Sequence, residues 1–156
     1  MNSKVEILSR NDAEHLIENG FPTSTAVISF YDPKSRHPEY DYTPVDYKGK
    51  CERYLGVCVR DIDIEILGDY GLAFESYIPE ANEIAKFILS AQKDGLDIIC
   101  QCEYGQSRSA ACAAAIREYF DGTGIEIFAD YRYYPNQLIF NKLLNALKEC
   151  GGIKHE

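Results

Sequence analysis

A cysteine and an arginine stand with five residues between them in the run Cys102-Glu103-Tyr104-Gly105-Gln106-Ser107-Arg108-Ser109. A thiolate is a strong nucleophile, and a guanidinium grips two oxygens of an oxyanion in one plane. The run lies between an apolar stretch, Leu96 to Cys100, and the Ala-rich stretch Ala110 to Phe120. A strand that turns directly into a helix offers unpaired backbone N–H groups and a partial positive charge, a natural seat for a phosphate dianion. Gly105 lets the backbone curl there, and Ser107 and Ser109 add hydroxyls. Chance produces a Cys-x5-Arg spacing easily in a chain with six cysteines, so the strand, glycine and helix around it carry the specificity. The chemistry they point to is attack of the Cys102 sulfur on phosphorus while Arg108 holds the phosphate.

The elements that must position this loop are legible as alternating strands and helices. Val5 to Leu8 reads as a short strand, Asn11 as the cap of a helix through Glu18, and Thr25 to Tyr31 as a strand rich in β-branched and aromatic residues. The segment Asp32 to Lys50 is a polar, Tyr-rich loop or lid, after which Tyr54 to Asp61 (YLGVCVRD) returns as a strand. Pro79 suits the start of a helix ended by Gly95; the Ala-rich stretch is too apolar to face water; a last helix begins near Pro135. This alternation predicts an α/β fold, a single domain over 1–156 whose central mixed, mainly parallel sheet is flanked by helices.

Composition limits the partners. With 25 Asp plus Glu against 16 Lys plus Arg, the net charge of −9 repels nucleic acid and anionic lipid, so neither is expected as a partner. The N-terminal residues lack the apolar core of a signal peptide, and no run is long enough to span a bilayer, which predicts a cytoplasmic protein. The cysteines are scattered and read as reduced thiols, with Cys58, Cys100 and Cys112 expected in the core. Cys100 and Cys102 lack the second pair that a zinc site needs, and His15, His37 and His155 read as solvated; no metal or cofactor is expected.

The Cys102 to Ser109 run resembles the signature of the cysteine-dependent protein tyrosine and dual-specificity phosphatases. YLGVCVRD and Pro135-Asn136 resemble flanking segments of the small dual-specificity members, so that the likeness extends over roughly Tyr54 to Leu147. It implies the phosphotyrosine protein phosphatase II-like fold, with residues 103–108 (Glu103, Tyr104, Gly105, Gln106, Ser107 and Arg108) around the phosphate. It also implies Cys102 as nucleophile, Arg108 as clamp, Ser109 as the hydroxyl easing departure of the thiolate, and Asp61 as general acid. Asp63 shares the side-chain parity of Asp61, and Asp69 is the third candidate acid. The family usually has His before the cysteine, where this chain has Gln101.

The expected activity is hydrolysis of phosphomonoesters, foremost protein phosphotyrosine and then phosphoserine or phosphothreonine, through a phosphocysteine intermediate. The expected ligands are a phosphorylated protein or small phosphomonoester, and phosphate, sulfate or vanadate-like oxyanions in the loop. Glu103 and Gln106 put no cation inside the loop, which favours singly phosphorylated substrates. Two other readings use the same residues: a phosphate-binding module without turnover, consistent with Gln101, and a rhodanese- or arsenate-reductase-like Cys-loop enzyme.

Overall fold

A computed structural model describes residues 1–34 and 43–153; the readings placed on residues 35–42, including His37, and on His155 lie outside them. The elements run β1 (Val5–Leu8), α1 (Arg10–Asn19), β2 (Thr25–Tyr31), β3 (Arg53–Cys58), a 3₁₀ helix (Ile64–Tyr70), α2 (Ala81–Lys93), β4 (Asp97–Gln101), α3 (Arg108–Asp121), α4 (Ile125–Phe128) and α5 (Gln137–Gly151). The four strands form one sheet in the order β1-β4-β2-β3. Every pairing is parallel, so among the described residues the sheet contains no antiparallel strand of the kind a mixed sheet would have. The reason is that a helix or a long loop separates each strand from its sheet neighbours and returns the chain to the same end.

Some boundaries differ from those the sequence suggests. Helix α1 starts earlier, because Ser9 rather than Asn11 caps it: the Ser9 hydroxyl accepts from the Asp12 amide, and the Asp12 carboxylate accepts from the Ser9 amide. Strand β3 ends at Cys58, because its neighbour β2 ends opposite at Tyr31 and the Val59 amide makes the last bond between them. Asp61 therefore stands in a loop. Helix α5 begins just past Pro135, with Asn136 as its cap.

The two sheet faces are covered unequally. Ile28, Phe30, Val57, Ile98 and Cys100 join the larger core with α2, α3 and α5, whereas Val27 and Ile99 pack under α1 with Ala13, Ile17, Val45 and Tyr47. On edge strand β3, Val57 points to the larger core, and its neighbour Cys58 faces the other side, beyond the cover of α1; Cys58 is exposed, not a core thiol. Helix α3 is buried from Arg108 to Ile116, packed by the sheet on one side and by α5 and α4 on others. A helix enclosed this fully can approach its neighbours closely only with small side chains, which accounts for its alanines. No helix among the described residues is long and apolar enough to cross a membrane.

Leu143 of α5 is wholly buried in the larger core. Leu143→Ala should lower the unfolding free energy by about 2–5 kcal/mol, read as a lower urea midpoint with unchanged slope.

Candidate active site

At the carboxyl end of β4 the chain enters a loop and then α3, and the loop is fixed from three directions. On the β1 side, the Cys102 amide donates to the Leu8 carbonyl, and the Arg10 amide donates to the Glu103 carbonyl. Arg10 Nε also donates to both Glu103 carboxylate oxygens, at 3.1 and 2.9 Å. Glu103 is thus engaged as an anchor. On the α5 side, the amides of Tyr134 and Asn136 donate to the carbonyls of Gln106 and Ser107. At the apex, Gly105 has φ +68°, and a Cβ there would lie 2.7 Å from the Ser9 nitrogen. Only glycine combines that conformation with that proximity. Among the described residues, the amides of 103–108 donate to no carbonyl or side chain.

Cys102 is buried, with its sulfur 3.0 Å from the Ser109 hydroxyl. Arg108, 5 % exposed, is oriented by groups that lie far away in sequence. Its Nη1 donates to Asp32 Oδ1 (2.9 Å) and to the Val59 carbonyl (2.8 Å), and Nη2 reaches Asp32 Oδ2 at 3.4 Å. Nε is buried and has no partner among the described residues. Among the described residues, the guanidinium edge made by Nε and the adjacent Nη2 hydrogen is therefore free, and two parallel N–H groups suit two oxygens of one anion.

The three candidate acids are separated by the structure. Asp61 Oδ1 accepts from the Ser107 hydroxyl (2.7 Å) and from Asn136 Nδ2 (2.9 Å), which leaves Oδ2 available. The same Asn136 caps α5 by accepting from the Ile139 amide and donates to the Ile62 carbonyl, so the loop carrying Asp61 is tied to the helix cap. Asp63 is exposed just before the 3₁₀ helix, and Asp69 is exposed within it. Neither carboxylate bonds the loop among the described residues.

Gln101 lies on the α1 face of the sheet, where its amide oxygen accepts from Ser29 Oγ (2.6 Å) and Tyr47 OH (2.9 Å). Its Nε2 donates to the Cys102 carbonyl at 2.9 Å. Burial pushes the Tyr47 hydroxyl well above its ordinary pKa, so it stays a donor across the physiological range. Gln101 thus has donors for its oxygen and an acceptor for its nitrogen. On the opposite face, the Cys100 thiol is held well up by its bond to Cys112 and by burial.

Sequence reasoning missed Asp32, Ser29 and Tyr47. Asp32 immediately follows β2, beside the strand that feeds the loop, and side chains at the carboxyl ends of neighbouring parallel strands meet at one site. That position was the available signal. Ser29 stands opposite Gln101 in the β2–β4 register, which only strand pairing discloses.

No protein-family model matches the sequence, and neither does any curated protein. Solved structures do share the fold. A mouse protein classed with the dual-specificity phosphatases, solved with zinc tungstate, superposes with TM-score 0.56 at 18 % identity, covering 97 % of this chain and 89 % of its own. Tk-PTP in its active form gives 0.55 at 14 % identity, covering 94 % and 92 %. PTPMT1 in complex with PI(5)P gives 0.54 at 15 % identity, covering 94 % and 91 %. The chain has the fold of the small, dual-specificity-like cysteine phosphatases.

Two outcomes follow for the isolated protein. In native protein at neutral pH, iodoacetate should label Cys102 fastest, leave Cys100 and Cys112 unmodified, and reach exposed Cys58 mainly at alkaline pH, since burial raises that thiol too; peptide mapping reads this. Gly105→Ala should cost about 1–3 kcal/mol in urea unfolding, because both the backbone conformation and the Ser9 contact must change.

Proposed function

We propose that this protein is a single-domain, cytoplasmic phosphatase that hydrolyses phosphomonoesters, foremost protein phosphotyrosine, through a phosphocysteine on Cys102. The observation that carries this reading is the free Nε–Nη2 edge of buried Arg108, beside the Cys102 loop with its undonated amides. A buried cation with an unused two-pronged edge calls for an anion of matching shape, and a phosphate monoester is one.

In the first step the Cys102 thiolate attacks phosphorus while the bond to the leaving oxygen breaks, and the proton on Asp61 passes to that oxygen. In the second, a water attacks the phosphocysteine, Asp61 takes its proton, and the sulfur leaves as thiolate with orthophosphate released. Ser109, bonded to Sγ, stabilises that thiolate, and the 103–108 amides hold the equatorial oxygens. The bonds from Ser107 and Asn136 to one Asp61 oxygen keep the other aimed at the leaving group. No step calls on a metal or cofactor.

One observation favours a second reading, a phosphate-binding module without turnover: Gln101 stands where the resembling family usually has His. The buried bonds of Gln101 to Ser29, Tyr47 and the Cys102 carbonyl support the loop geometry either way.

The experiment is p-nitrophenyl phosphate and phosphotyrosine-peptide hydrolysis with orthovanadate binding. Wild type should turn over both. Cys102→Ser should abolish turnover and keep oxyanion binding, and Arg108→Lys should lose about 10²-fold or more in kcat/KM. Asp61→Asn should cost about 10²–10⁴-fold on phosphotyrosine, and far less on an ester whose leaving group needs no proton. Turnover by Cys102→Ser overturns the reading, and wild-type vanadate binding without hydrolysis favours the second.

A further inference from the structure

Beside the loop, and sharing Ser107 with it, lies a cleft of about 610 Å³. Its walls combine aromatic rings, Phe74, Phe128 and Tyr134, with two carboxylates, Asp63 and Glu65. Its lining includes no lysine or arginine. Both carboxylates are exposed, and neither takes part in an ion pair or side-chain hydrogen bond among the described residues. The cations on the surrounding elements are already engaged, two of them on rings of the cleft wall. Lys142 Nζ donates to the carbonyls of Phe74 and Glu75 and lies 5.1 Å from the Phe74 ring centre. Arg60 stacks on Tyr70 at 5.0 Å, and Arg132, paired with Asp130, lies 5.1 Å from the ring centre of Tyr133, which also lines the cleft.

We propose that this cleft binds a stretch of substrate polypeptide bearing a lysine or arginine and an apolar side chain close to the phosphorylated residue. The proposal rests on the phosphatase reading above and names the class of protein substrate. Two free carboxylates in a partly apolar cleft attract a cation and repel an anion, and a net charge of −9 extends that discrimination to the approaching substrate. The rings of Phe128 and Tyr134, which carry no cation of the chain among the described residues, take the methylene stems of Lys or Arg and stand beside the cation. The volume falls within the range that encloses a ligand of a few residues. An extended chain advances about 3.3 Å per residue, so a cleft that begins at Ser107 is filled by near neighbours of the residue in the loop. The same carboxylates disfavour a phosphoinositide, whose further phosphates and anionic bilayer carry the wrong sign.

The test compares phosphotyrosine peptides that differ only in flanking residues, Lys/Leu against Glu/Leu, with a short-chain phosphoinositide as third substrate. Hydrolysis is measured with wild type, and Kd by fluorescence anisotropy with Cys102→Ser. The basic peptide should lead the acidic one by about fivefold or more in both kcat/KM and affinity, with the gap closing toward unity in about 0.5 M salt. Glu65→Lys should bring the ratio to one or below. Because the readout is a ratio on one protein, a uniform change in activity cancels. A ratio of one or less for wild type, a ratio untouched by Glu65→Lys, or a preference for the phosphoinositide overturns the proposal. Wild type inert toward p-nitrophenyl phosphate overturns the phosphatase reading alone, and the Cys102→Ser affinities then decide the cleft.

Discussion

A guanidinium buried at the first turn of α3 is the constraint on which the site depends. A cation taken out of water needs compensating partners, and Arg108 finds them on Asp32, just after β2, and on the Val59 carbonyl, just after β3. These two segments come together because their strands are hydrogen-bonded neighbours, with β4 on the far side of β2. The sheet order thus holds the arginine, and the arginine joins two strand ends to the helix.

The alanines of α3 serve the same arrangement from inside. They allow the helix to lie close against sheet and α5 together, so its amino end, and the loop before it, has little freedom to shift. On the α1 face Ser29, Gln101 and Tyr47 satisfy one another, while the face toward α2, α3 and α5 carries Ile98 and Cys100. The parity of β4 therefore separates the two side chains, with Gln101 bracing the backbone on one side and the Cys102 sulfur beside Ser109 on the other.

Much of this was legible in the sequence for local reasons. The loop, its glycine, the Ala-rich helix and the strand before it are contiguous, so spacing and composition disclose them. Asp61 was accessible through its place after a β-rich run. Asp32 left only its place just after β2 as a signal, and Ser29 and Tyr47 left none, because their relation to the loop arises from strand register and from a loop crossing the α1 face, neither of which leaves a periodic trace. The exposure of Cys58 was missed because an edge strand looks like a central one until the sheet order is known. Ser9 could have been read as the cap of α1 from Ser-x-x-Asp, a pattern that outweighs Asn11 two positions later.

The loop's dependence on β1 has a consequence for local opening. Strand β1 is a four-residue edge strand, yet its Leu8 carbonyl receives the Cys102 amide, its end abuts Gly105, and the following Arg10 anchors Glu103. Edge strands fray at lower free energy than central ones, and amides bonded to them exchange with solvent when they do. Fraying at Leu8 to Arg10 releases the Cys102 amide and loosens the 103–108 loop in the same event. The first ten residues and the loop a hundred residues later are thereby coupled, since the same bonds and contacts hold both in place.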